Sequence, residues 1–151
     1  MNKNELIVVL RDAARSHKEW VGNALALIEG VPLDKEKVPV NATECKFGQW
    51  YHGEGQSLRG IAGFKELEAP HDELHRKYME IFAILFGEDY EPSFFAKLFG
   101  SSRKLAAEKR ELAMEKFRLL EKQSDLIVKQ LIQLEKLITA MGENQLEKYL
   151  A

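Results

Sequence analysis

The sequence predicts an all-α protein: a four- to five-helix bundle with a short cysteine-bearing helix and a long C-terminal helix. Three observations carry this. Apolar residues recur at threes and fours over three long stretches, the spacing of one helix face. Strand-like alternation is absent. Only four prolines, Pro32, Pro39, Pro70 and Pro92, punctuate the 151 residues, so few breaks interrupt the helical periods.

The first stretch runs through Leu6, Leu10, Ala13, His17, Val21, Ala24 and Ile28, and should end near Glu29-Gly30. VPLDKEKVPV then reads as a loop. Asn41-Ala-Thr-Glu44 resembles a helix start, with Glu44 three residues after a capping asparagine, so that CKFGQWYHGEG forms a short helix ended by its own glycines. GQSLRGIAGFKELEA carries no clear period. Pro70 suits the first turn of the next helix, where its missing N–H costs nothing. There His71, His75, Tyr78, Phe82 and Leu85 share a face that stops near Gly87. SFFAKLFG reads as a short apolar helix. Residues 101–141 contain neither glycine nor proline, and Phe117, Leu120, Ile127, Leu131, Leu134, Ile138 and Met141 follow an a/d heptad with Ser124 as its polar exception. Leu105, Leu112, Leu119 and Leu126 add a second stripe. A helix of that length reaches about 60 Å, more than twice the preceding one. It completes the bundle and is expected to extend beyond it. We read residues 1–151 as a single domain.

Composition removes several classes of function. Charged residues make up 30% of the chain with a formal net charge of −2, and no stretch is strongly basic, so a surface that tracks nucleic-acid phosphates is not expected. Apolar runs are far too short to enter a membrane. The N-terminus reads as the start of an amphipathic helix rather than a signal peptide. A single cysteine, Cys45, makes no internal disulfide, which suits a reducing cytoplasm.

Polar residues at core positions point to chemistry. His17 interrupts the apolar stripe of the first helix. His71 and His75 occupy successive core positions of the third, one turn apart on one face. A lone inward histidine is usually a hydrogen-bonded core residue. Three from two helices are harder to satisfy mutually, and each left unpaired would cost about 1–3 kcal/mol. A metal ion satisfies all three together, and Cys45 is the natural fourth ligand. A His3Cys set suits Zn2+, which takes nitrogen and sulfur donors in a tetrahedron. With all four positions filled such a site is closed, which argues against an enzyme. Cys45 at a helix start also feels the positive end of the helix dipole, so it is the redox-reactive candidate as well. His52, in a polar glycine-flanked stretch, reads as an exposed bystander. Glu44, Asp72 and Glu73 are candidate acceptors for imidazole N–H groups.

In order, the residues read His17-x-x-Trp20, then Cys45-x-Phe47-Gly48-x-Trp50, then His71-x-x-x-His75. This pattern resembles the chemoreceptor zinc-binding domain family, CZB, over roughly residues 3 to 90. The resemblance implies a cytoplasmic bacterial helical domain holding one zinc ion per chain through His17, Cys45, His71 and His75. It implies sensing of zinc, or of hypochlorous acid-type oxidants through the zinc thiolate, and pairing as a homodimer. It also implies coupling to chemotaxis or cyclic-di-GMP signalling proteins. The sequence shows neither a receptor signalling hairpin nor a cyclase domain, so the expectation is a sensory or regulatory domain that is either stand-alone or a piece of something longer, with stand-alone preferred. The alternative is a structural zinc protein serving as an interaction module. Two other readings fail on the residues. HDELH places Asp72, not glutamate, directly after the first histidine, against the zincin pattern. A hemerythrin-like diiron site needs more than the four histidines present.

Overall fold

The computed structural model describes residues 1–31, 41–86 and 103–150, with residues 103–106 as backbone only. The described residues form five α-helices and no strand: α1 Lys3–Ile28, α2 Lys46–His52, α3 Glu68–Phe86, α4 Arg103–Ala140 and α5 Glu143–Leu150. The loop expected over most of VPLDKEKVPV and the helix expected for SFFAKLFG lie outside the described residues.

α1 starts on a reciprocal cap. The Asn2 side chain accepts from the Glu5 N–H at 2.9 Å, and the Glu5 carboxylate accepts from the Asn2 N–H at 2.8 Å. It ends where the glycine predicts. Gly30 adopts φ 92°, letting its N–H reach Leu27 O and the Val31 N–H reach Ala26 O, which satisfies the last carbonyls. α1 and α3 both run antiparallel to α4. Lys3 Nζ donates to the carbonyls of Thr139 and Met141, Arg11 pairs with Glu135, and Gln123 Nε2 donates to Pro70 O. The a/d heptad of α4 is a core face: Phe117, Leu120, Ser124, Ile127, Leu131, Leu134, Ile138 and Met141 are all buried. Of the second stripe, Leu112, Leu119 and Leu126 are exposed and lie off that core, while the Leu105 side chain lies outside the described residues.

Two departures from the sequence reading concern the short elements. The second helix begins at Lys46 rather than at Asn41: residues 41–44 form a turn, and Cys45 is the N-cap. Asn41 does reach Glu44, but only side chain to side chain at 3.5 Å. The unassigned glycine-rich stretch folds as two 3-10 turns, Glu54–Leu58 and Lys65–Leu67, which bring Leu58, Phe64 and Leu67 into the core. Tyr51 of α2 fastens this segment by stacking on Phe64 at 4.5 Å and donating its hydroxyl to Phe64 O at 3.1 Å. α5, unanticipated, adds buried Leu146, and its Tyr149 ring lies against Gly60.

The core is divided. One apolar cluster joins Leu6, Leu10 and Ala13 of α1 to Phe47, Tyr51 and the 3-10 turns, and to α4 from Ile127 onward. The other joins Trp20, Ala24, Leu27 and Ile28 to Leu74, Tyr78, Ile81 and Leu85, and to Ala113, Phe117 and Leu120. The four buried polar residues among those described fall at the boundary: His17 between Ala13 and Trp20, His71 and His75 on either side of Leu74, Ser124 between Leu120 and Ile127. One polar layer crosses the bundle between two dry halves.

Candidate metal centre

Three helices deliver four donors to this layer. His17 Nδ1 lies 2.6 Å from Ala13 O, one turn back on α1. A carbonyl only accepts, so Nδ1 carries the proton and Nε2 keeps the lone pair that a metal needs. His71 Nε2 lies 3.2 Å from His75 Nε2 and 3.3 Å from Cys45 Sγ. One donor atom from each of His17, Cys45, His71 and His75 falls within 4.8 Å of all the others. In a tetrahedral zinc site, bonds of about 2.0–2.1 Å to nitrogen and 2.3 Å to sulfur set donors about 3.3–3.6 Å apart. The close pairs already match those edges, and the wider ones need only contract. The residues present therefore fit a metal ion with this preference.

Cys45 is placed by its own helix. Its Sγ accepts from the Gly48 N–H at 3.2 Å, as an N-cap does, and the thiol donates to Ala42 O at 3.4 Å. Gly48 makes this packing possible. A Cβ there would sit 1.7 Å from Ala42 O, so any side chain would displace the turn that carries the cysteine. Phe47 then meets the rings of His17 and His71 edge-on, with centroids 5.6 and 4.9 Å away. Trp20 covers His75 at 4.6 Å and stacks on Tyr78 at 4.1 Å. The aromatic residues of the motif thus wall the donors and fix the imidazole planes.

Without a metal, burial disfavours charge on His17, His71 and Cys45. Burial lowers the pKa of His71 to about 3, with the neighbouring imidazoles His17, His75 and His52 adding to the effect. Burial likewise lowers that of His17, against a raising contribution from its bond to Ala13. Burial raises the Cys45 thiol pKa, while N–H groups at the start of α2 oppose it. A bound cation reverses the preference at sulfur, since it favours the thiolate directly.

The histidine shifts make metal-free protein acid-sensitive. His71 and His17 bind protons more weakly folded than unfolded. The stability this gives is complete above about pH 6.5 and is lost as pH falls below it. His71 alone should cost the metal-free fold about 2 kcal/mol between pH 6.5 and 5, near 1.4 kcal/mol per unit. Thermal melts of chelator-treated protein at pH 7.5 and 5 check this. An unchanged midpoint would refute a neutral buried His71.

The site is reachable. A cleft of about 400 Å3 has His17, Cys45 and His75 on its walls, with Asp12, Ser16 and Glu19 of α1 and Lys46 of α2 around them. His52 is exposed and stands outside the cluster. The acidic acceptors expected from the sequence are engaged elsewhere. Glu73 pairs with Arg76 and Lys77, Glu44 reaches Asn41, and Asp72 is exposed. The acceptor that orients a ligand is instead a backbone carbonyl, that of Ala13, which residue types do not reveal.

Among the described residues, which form helices and no strand, three imidazoles and one thiol come together in a set that could hold a metal ion. Residues 17–82 match the model of the chemoreceptor zinc-binding domain, CZB. The matched stretch opens on His17 and contains Cys45, His71 and His75. No curated protein and no solved structure matches the chain. Among the described residues no helix is long and apolar enough to cross a membrane.

Proposed function

We propose that the chain is a cytoplasmic zinc-binding sensor. His17, Cys45, His71 and His75 hold one Zn2+, and loss of the ion, or oxidation of Cys45, is the signal. The convergence of four donors from three helices beside an open cleft is the observation that carries this reading. Zinc, when bound, would hold Cys45 as a thiolate beside that cleft. The residues around it define the response. His17 keeps its tautomer through Ala13, so three ligands stay in place on long helices. Cys45 sits on a seven-residue helix that can yield more readily. A hypochlorous acid-type oxidant converts the thiolate to sulfenic acid and leaves as chloride. The cluster then loses its one anionic donor and its grip on the ion. No catalytic step is assigned to a site whose four positions are all filled. Output passes from a homodimer to a chemotaxis or cyclic-di-GMP signalling protein.

The burial of all three histidines is equally what a structural zinc would produce, so metal content and response must be measured together. Metal analysis of purified protein is expected to give about one zinc per chain. Hypochlorous acid, added stoichiometrically, is expected to release that zinc into a colorimetric chelator while helicity persists. Protein that carries no zinc and takes none up on titration would overturn the metal assignment. Zinc retained while Cys45 is oxidised would overturn the redox part alone.

A further inference from the structure

We propose that the cleft between α1 and α2 is the route by which Zn2+ reaches and leaves the four donors, with Asp12, Ser16 and Glu19 of α1 forming its approach. The inference rests on the metal assignment made above. All three histidines are buried, so an ion must come to them by a definite path. His17, Cys45 and His75 stand on the walls of the cleft of about 400 Å3, and His71 does not. His71 is reached past two of them, its Nε2 lying 3.3 Å from Cys45 Sγ and 3.2 Å from His75 Nε2. The cleft therefore presents three donors first and the fourth last.

One face of α1 builds the approach. Asp12, Ser16 and Glu19 follow one another at intervals of four and three, so they line up along the cleft, and all three are exposed. Their oxygens suit a cation that is shedding water, since carboxylates are themselves zinc ligands. Asp12 also pairs with Arg15 at 2.8 Å, which leaves Glu19 the stronger pull. Lys46, exposed on the opposite wall and next to Cys45, opposes it. Inside this rim Trp20 and Phe47 are buried apolar walls, so the donors are what an entering ion meets next. Clefts with charge of one sign on their walls raise the rate at which the opposite charge arrives, and salt screens the effect. Asp12 and Ser16 precede the 17–82 stretch that matches the zinc-binding domain, so this approach is not part of the matched pattern.

The test is stopped-flow association of zinc with the metal-free full chain, and release of bound zinc into excess chelator. Ser16→Trp puts a large ring into the cleft from an exposed helix position, so helicity should persist. Both rates are expected to fall at least about tenfold with the dissociation constant within about twofold of the wild type, because a plug alters the path and neither end state. Lys18→Trp, exposed on α1 but off the cleft, is the control, with both rates expected within about twofold of the wild type. At low salt Glu19→Gln should slow association about two- to threefold and Lys46→Gln should speed it by a similar factor. Both effects should vanish near 1 M salt, where screening acts within about 3 Å. Rates indifferent to Ser16→Trp would put the route elsewhere, as through outward opening of α2, and overturn the proposal. Equal slowing by Lys18→Trp, or charge effects of one sign, would overturn it as well. These outcomes all require a chain that binds zinc. Absence of zinc uptake by the unaltered protein would instead overturn the metal assignment on which the route depends.

Discussion

Replacing Cys45 with serine is expected to lower zinc affinity about a thousandfold while leaving the helices in place. The two effects separate because the side chain has two jobs. As N-cap of α2 it accepts the Gly48 N–H, and serine is among the best residues for that task, so the local helix keeps its start. As a ligand it is the only anionic donor in the cluster, and a serine hydroxyl at neutral pH replaces a charged sulfur with a weak neutral oxygen. Loss of a mere orienting partner in zinc sites costs about ten- to a hundredfold, and loss of a ligand should exceed that. Competition with a chromophoric chelator measures the affinity, and far-ultraviolet circular dichroism the helicity. Affinity within tenfold of the wild type would remove Cys45 from the ligand set. A protein that unfolds when metal-free would make the zinc structural and weaken the sensor reading.

The long elements were legible because burial imposes a period. The stripes of α1, α3 and α4 lie where spacing places them except at Val21 and Phe82, which are only partly buried, and the three core histidines stood out as polar residues at positions of an apolar stripe. The end of α1 was legible too, since Gly30 is the residue that tolerates its left-handed turn. The start of α2 was not. Asn41 and Glu44 have the spacing of a capping box, but the cap is a thiol, which composition does not advertise as one. The 3-10 turns between Glu54 and Leu67 leave no period long enough to read, and their order comes from tertiary contacts such as Tyr51 on Phe64. Nor can a sequence distinguish two leucine stripes on one helix by which is buried. That depends on where α1 and α3 lie. The acceptors around the cluster were misassigned for a related reason: long acidic side chains on exposed helix faces find neighbouring cations, as Glu73 finds Arg76 and Lys77.

The divided core connects these findings to function. Each apolar half packs α1 against α4, so the helices are expected to stay together when the metal is removed. What an ion could add to the polar layer is one common partner for three imidazoles and a thiol. Ligand binding there acts on α2 with the turn before it, a short element that packs against one apolar half only. This is why a change at Cys45 is expected to move the short helix rather than melt the bundle.

Gly48→Ala is expected to be as damaging to the site as a much larger substitution would be elsewhere. The added methyl would lie 1.7 Å from Ala42 O and 2.8 Å from Ala42 C, and both are backbone atoms that cannot rotate away. Relief requires the 41–44 turn to move by more than an ångström. That turn leads directly into Cys45 and accepts its thiol proton at Ala42 O. The displacement is therefore passed to Sγ, and the Gly48 N–H that bonds it moves as well. Overpacking of this kind costs about 1–3 kcal/mol, a fall of several degrees in the melting midpoint for a chain of this size. Zinc affinity should drop about ten- to a hundredfold, as when a ligand's support is lost. Gly22→Ala is the matched control. It lies within α1 with no atom within 4 Å of the new methyl, so it should raise stability by about 0.5–1 kcal/mol and leave zinc binding alone. Calorimetry and zinc titration of the two variants side by side would decide the point. If Gly48→Ala melts and binds zinc like the wild type, the close approach of the turn to α2 does not hold the cysteine in place.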